Sequence, residues 1–213
     1  MSLKFYSNQE LIQRIEKLVR TERKITHLVL LHINEIETRK LHLDMGYDGM
    51  YSYLTKGLGF SDGAAYRRLQ SARLLNQVPE VAEKIEAGTL NLSQLTQVQK
   101  CLTEASQKGV VVSAYQATRI LEKIENKNGF ETLKTLAAEF DIPAQSFTKL
   151  TPQKDQSVRL EVTLSEQQFA ELELARSLLS HVFPDGQWSD IIGSLAERFN
   201  KKKLGGGRLQ LVN

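Results

Sequence analysis

The side chains best suited to chemistry are cations gathered on one short stretch, Lys56, Arg67, Arg68 and Arg73. They are set among the hydrogen-bonding groups of Ser61, Tyr66 and Gln70. Between Met50 and Gln77 these four positive charges stand against one negative charge, Asp62, a local excess of three. A guanidinium group can bridge the edge of a guanine or grip a phosphate oxygen, and the residue type alone does not choose between the two. The chemistry on offer is polyanion binding, with Tyr66, Arg67, Arg68 and Gln70 against a duplex and Lys56 and Arg73 near phosphates. The competing reading is a solvated arginine face on a helix pair that only packs. Charge and spacing alone leave the two readings level.

The elements that must position these groups are legible around them. Asp48 is placed to cap a short helix, GMYSYLTK, which ends at a corner where Gly57 and Gly59 can supply positive φ angles. Ser61 then offers its hydroxyl to the free N–H groups of a new helix. Within that helix Ala65, Leu69 and Ala72 fall at i, i+4 and i+7, a narrow apolar face of mostly small residues that admits a close neighbour. Asp62, Gly63, Ala64, Tyr66, Arg67, Arg68 and Gln70 lie on the other face. A compact basic helix after a Gly-rich corner is the form of a helix-turn-helix whose second helix enters a DNA major groove.

No other spacing suggests a reactive centre. His27, His32 and His42 are separated by five and ten residues and do not share one helical face, so no metal site and no cofactor is expected. Cys101 is the one cysteine, which excludes an internal disulfide and a CxxC metal pair; its apolar helical surroundings make it a small core residue. Charged residues are 25% and hydrophobic ones 41% of 213, proportions of an ordinary globular chain of one large or two small domains. A net charge of +3 permits a polyanion partner without demanding one. No apolar run reaches membrane-spanning length and MSLKFYSNQE is not a signal peptide. A cytoplasmic location is therefore expected, nucleoid-associated if DNA is the partner.

Read in order, residues 1–140 form a helical domain. Ser7 and Glu10 make a capping box for a helix carrying Leu11, Ile12, Ile15, Leu18 and Val19. A second helix runs from about Lys24 to Asp44, with Ile25, Leu28, Leu31, Ile33, Ile36 and Leu41 as candidate core and Gly46 as its stop. After the corner come a short helix from Pro79 to Gly88, one over Leu90–Ala105 capped by Ser93, one capped by the Ser113–Gln116 box, and a last over Phe130–Phe140. No strand signal precedes residue 150.

Residues 141–156, with two prolines, read as a linker. The period then changes to two: Val158, Leu160, Val162 and Leu164 point one way, Arg159, Glu161 and Thr163 the other. The Ser165–Gln168 box opens a helix, PDG at 184–186 turns the chain, and Ser189 caps a second helix that runs into Lys201–Lys203. Strand, helix, helix over 157–203 is the order of a ribbon-helix-helix unit, in which the strands of two copies pair. Arg159, Glu161 and Thr163 would then face DNA, and Ser189 a phosphate. A homodimer through 157–200 is expected on this reading. The strand could instead pair with 208–212 in the tail (204–213), or serve dimerisation alone.

The run GLGFSDGAAYRRLQSARLL…VPEVAEKIEAGTLNLSQL resembles the helix-turn-helix of ParB-type DNA partition proteins, four elements in the same order. More widely, RKLHLDMGYDGMYSYLTKGLGFSDGAAYRRLQSARL and VRLEVTLSEQQFAELELARSLLSHVFPDG are similar to the helical region that precedes the nuclease module in a family of bacterial HNH endonucleases. The likeness spans about residues 30–200. An HNH site requires a His general base and further His or Asn positions around a divalent metal. The end of the chain, KKKLGGGRLQLVN, has no His, Cys, Asp or Glu, so the catalytic module is absent by natural loss, a shortened reading frame or deliberate shortening. The combined expectation is a mainly α-helical, non-catalytic protein that binds double-stranded DNA. The alternatives are the targeting part of a metal-dependent HNH endonuclease and a helical protein-interaction scaffold.

Overall fold

A computed structural model describes residues 3–142 and 146–204. The described chain is mainly helical, with one two-stranded antiparallel sheet. It divides into two units, one up to residue 143 and one from residue 144.

The first unit opens with α1 (Asn8–Thr38), started by the Ser7–Glu10 capping box as expected. It is one helix of 31 residues where two were expected. The segment TERK at 21–24 holds neither Gly nor Pro, and the Thr21 hydroxyl donates to the Lys17 carbonyl within the helix. The expected second helix instead breaks after α1, at Lys40 in the left-handed conformation, before the short α2 (Leu41–Asp44). The stripe expected to be core is mostly solvent-facing. Only Leu30 and Ile33 of α1 are buried, while Ile12, Ile15, Leu18, Ile25, Leu28 and Leu31, and Leu41 of α2, are exposed.

Helix α3 (Met50–Ser52) continues as a π-turn over Tyr53–Gly57, and α4 (Asp62–Gln77) follows the corner. Beyond it lie α5 (Val81–Ala87), α6 (Leu92–Gln107), α7 (Ala114–Ile124) and α8 (Gly129–Glu139). The cap of α6 is Asn91 rather than Ser93: its side chain accepts from the N–H groups of Ser93 and Gln94, and Gln94 reaches back to the Asn91 N–H. Helix α4 is the hub, laid chiefly against α6 and α1. Its expected apolar face is buried as read, Ala65, Leu69 and Ala72, and is widened by Leu74 and Leu75. Leu54, Val81, Leu95, Val98, Leu121, Ile124 and Leu136 complete one continuous core.

The second unit holds β1 (Thr148–Pro152), β2 (Val158–Val162), α9 (Glu166–Leu178) and α10 (Trp188–Leu204). Strand β1 corrects two expectations: residues 141–156 are not only a linker, and β2 is not a lone strand. The two pair antiparallel with Leu150 opposite Leu160 and Thr151 opposite Arg159. One apolar side chain among TKLTP gives no alternation to read, and the terminal proline is tolerated because the strand lies at an edge. Ser165 caps α9 as expected, but α10 begins at Trp188, which puts Ser189 inside its first turn rather than at its cap. Residues 208–212 lie outside the described residues. Leu179 and Ile191 are the buried hydrophobics of this unit among the described residues, helped by Phe169 against Trp188 and the Arg176 guanidinium over the Trp188 ring.

Candidate nucleic-acid interface

The corner before α4 is built differently from its reading in one detail. Gly59 has φ +72°, as a tight corner requires. Gly57 does not have positive φ. It is needed for space, since a Cβ there would lie 2.8 Å from both the Tyr47 hydroxyl and Cδ2 of Tyr53. The Tyr47 and Tyr53 rings pack 5.2 Å apart across it. Asp48 is not the cap of α3, which is Gly49. Its carboxylate instead accepts a hydrogen bond from Ser52, which holds its pKa below the ordinary value, with a further contribution from Lys56.

At the start of α4 the Ser61 backbone is extended and its carbonyl accepts from the Ala65 N–H at 2.8 Å. Its hydroxyl makes no capping bond, contrary to expectation. Asp62 in the first turn is hydrogen-bonded to Tyr51, whose phenol is pushed up by burial and by that carboxylate. The single acid of this stretch is thereby tied to the preceding helix rather than set across the outer face.

The cations of the stretch divide three ways. Arg67 is exposed, and among the described residues no carboxylate lies within ion-pair distance of it. Its guanidinium rises beside Gly63, where an added Cβ would meet Nη1 at 3.3 Å. Arg68 turns the other way: it stacks on the Phe60 ring at 4.5 Å, donates to the Ala64 carbonyl and is half-buried beside α1. Arg73 is held by a two-pronged bond to Glu37 of α1, the shorter arm 2.6 Å. Lys56 is exposed at the end of the π-turn. Tyr66 and Gln70 line, with Arg73, a shallow groove of about 390 Å³ between α4 and α6. The far wall of that groove includes Lys100, 68% exposed and 3.8 Å from the Glu104 carboxylate of the same wall, which the sequence did not single out because its helix could not be placed from spacing.

In the second unit Arg159, Glu161 and Thr163 share the polar face of the hairpin. Arg159 stands opposite Thr151 and Glu161 opposite Lys149, while the Thr163 N–H bonds the Phe147 carbonyl.

The histidines are spoken for or solitary. His27 bonds Glu86 at 2.7 Å, His32 bonds the Leu28 carbonyl, and His42 is buried with Nδ1 unpartnered. Among the described residues no group of three or more His, Cys, Asp or Glu could hold a metal ion. Cys101 is half-buried, and burial pushes its thiol up, away from the reactive thiolate. Among the described residues no helix is long and apolar enough to cross a membrane. No protein-family model matches the chain, and neither curated proteins nor solved structures contain a match to it.

Proposed function

We propose that this protein binds duplex DNA without catalysing a reaction on it, with α4 as the second helix of a helix-turn-helix and its outer face in the major groove. The observation that carries the reading is Arg67: a guanidinium standing clear of every described carboxylate, on the exposed face of a helix whose one acid is held by Tyr51. Gly63, one turn before it, makes room for that guanidinium against the helix, and Tyr66, Gln70, Lys56 and Lys100 extend the surface. The test is binding to random duplex DNA between about 50 and 200 mM salt, where each neutralised phosphate steepens the salt slope by about 0.9. Binding that weakens with salt is expected, without cleavage when Mg²⁺ or Mn²⁺ is added to the same tubes. Nicking would instead favour the endonuclease reading, and no binding at the lowest salt the scaffold reading.

The protein pairs with a second copy through residues 157–200. The apolar face of the hairpin supports this: Leu150, Leu160 and Val162 are 65%, 51% and 47% exposed in a unit that buries almost nothing of its own. Units of this size rarely supply enough core alone. Packing of the hairpins of two copies through this apolar face would give a dimer with Arg159, Glu161 and Thr163 outward. Leu160→Glu is expected to raise the dissociation constant about tenfold in a light-scattering dilution series. An unchanged mass would remove this interface.

A further inference from the structure

We infer that the groove enclosed by α6, α7 and the end of α8 is a binding site for a small organic anion with an apolar body, the chemistry of a short fatty acid or an aryl carboxylate. The inference stands apart from DNA binding. The groove is about 490 Å³, within the range of about 300–1,000 Å³ that small-molecule sites occupy. Two helical stripes make its walls. Cys101, Ala105 and Lys108 follow at i, i+4 and i+7 along α6, and Gln116, Arg119, Ile120 and Lys123 at i, i+3, i+4 and i+7 along α7. Gly109, at φ +80°, turns the chain out of α6, and Val110–Val112 lead on to α7 as part of the lining. Ala105 and Ile120 are buried, while Cys101, Val112 and Phe140 are half-buried. The apolar surface left open among them is matched by a short hydrocarbon body.

The charges of the lining do not cancel. Glu139 accepts from Lys123 at 2.5 Å, and Glu104 lies 3.8 Å from Lys100, a residue outside the lining. Lys108 and Arg119 remain. Both are exposed, and among the described residues no carboxylate comes within ion-pair distance of either. Asp141 is the one acid of the lining left over among the described residues. Two unmatched cations against one unmatched acid favour a monoanion, and a guanidinium fork can take both oxygens of a carboxylate. Arg119 and Ile120 are neighbours on α7, so a ligand held at the rim by its carboxylate lays its hydrocarbon against the floor.

Equilibrium dialysis of the full chain against octanoate and against octylammonium, each below its micellar concentration, tests this. Octanoate is expected to bind saturably, and octylammonium at least about tenfold more weakly. Arg119→Glu reverses the charge at an exposed position. It is expected to raise the octanoate dissociation constant about tenfold and to lower that of octylammonium, an opposite movement that a loosened fold would not produce. A urea melt checks that the variant folds. Cys101, the one cysteine of the chain, locates the ligand: octanoate is expected to slow its alkylation by N-ethylmaleimide with the half-saturation found by dialysis. No saturable binding of octanoate would overturn the site. So would octylammonium binding as tight as that of octanoate, or octanoate binding that neither Arg119→Glu nor the alkylation rate registers.

Discussion

Arg67→Ala is expected to weaken duplex binding by about 1–3 kcal/mol, roughly five- to 160-fold, and to flatten the salt dependence by about one phosphate. Arg68→Ala, one residue on, is expected to leave affinity within about twofold while costing about 1 kcal/mol of stability, from its lost stacking on Phe60 and lost aliphatic packing. The sequence presents these two arginines as a pair. The structure sets them on different sides of α4: one guanidinium is in the open, the other lies over an aromatic ring and bonds a backbone carbonyl. Arg73→Ala falls between them. Its ion pair with Glu37 is partly exposed and contributes less than about 1 kcal/mol, so its loss is read mainly in binding if phosphate competes for it. Titration of the three variants against one duplex at two salt concentrations, with urea melts in parallel, separates the roles. If Arg67→Ala bound like the parent, α4 would not be the DNA-facing element.

What the chain discloses in advance follows from the range of the interaction. The capping boxes at Ser7, Ser113 and Ser165 involve groups three residues apart, and all three form as read. The buried face Ala65, Leu69, Ala72 is likewise a property of one helix. Expectations failed where a residue's fate depends on a distant neighbour. The apolar residues at 12, 15, 18 and 25 have helical spacing, but whether such a stripe is core depends on something packed against it, and these four face solvent or an open groove. Strand β1 could not be read because a strand of mixed polarity is specified by its partner rather than by its own alternation. Ser61 has the residue type of a cap and the extended backbone of one, yet its hydroxyl is not used. For the candidate site the local basic excess was visible. The sorting of Arg67, Arg68 and Arg73 was not, because Phe60, Gly63 and Glu37 decide it, one of them on another helix.

The largest loss of stability is expected from Gln94→Leu, about 3 kcal/mol. Gln94 is 3% exposed and joins three segments. Its Oε1 accepts from the Asn91 N–H at 3.0 Å and closes the capping box of α6. Its Nε2 donates to the carbonyls of Ile124 and Lys127, at 2.8 and 3.0 Å, and approaches the Thr132 hydroxyl. Leucine keeps the volume but leaves the Asn91 N–H and the Lys127 carbonyl without a partner, while the Ile124 carbonyl keeps only the Lys127 N–H at 3.2 Å; each buried group left unpaired costs about 1–3 kcal/mol, less where water reaches it. Gln94→Glu keeps the acceptor for Asn91 but turns a carboxylate toward two carbonyl oxygens. It is expected to be at least as damaging at neutral pH and to recover in part on acidification, when the carboxyl regains a proton to donate. Gln99, on the same helix and 6% exposed, supplies the control. Its Nε2 reaches only Thr103, at 3.4 Å, and its Oε1 is unpartnered, so Gln99→Leu removes an unsatisfied group and is expected to be neutral or mildly stabilising. Urea melts of the four chains decide it through the midpoint at constant slope. Well below the midpoint Gln94→Leu should still bind duplex DNA like the parent, because α4 keeps its outer face while its support loosens. An equal loss from Gln94→Leu and Gln99→Leu would show that the buried amide network is not what fastens α6 to the α7–α8 corner.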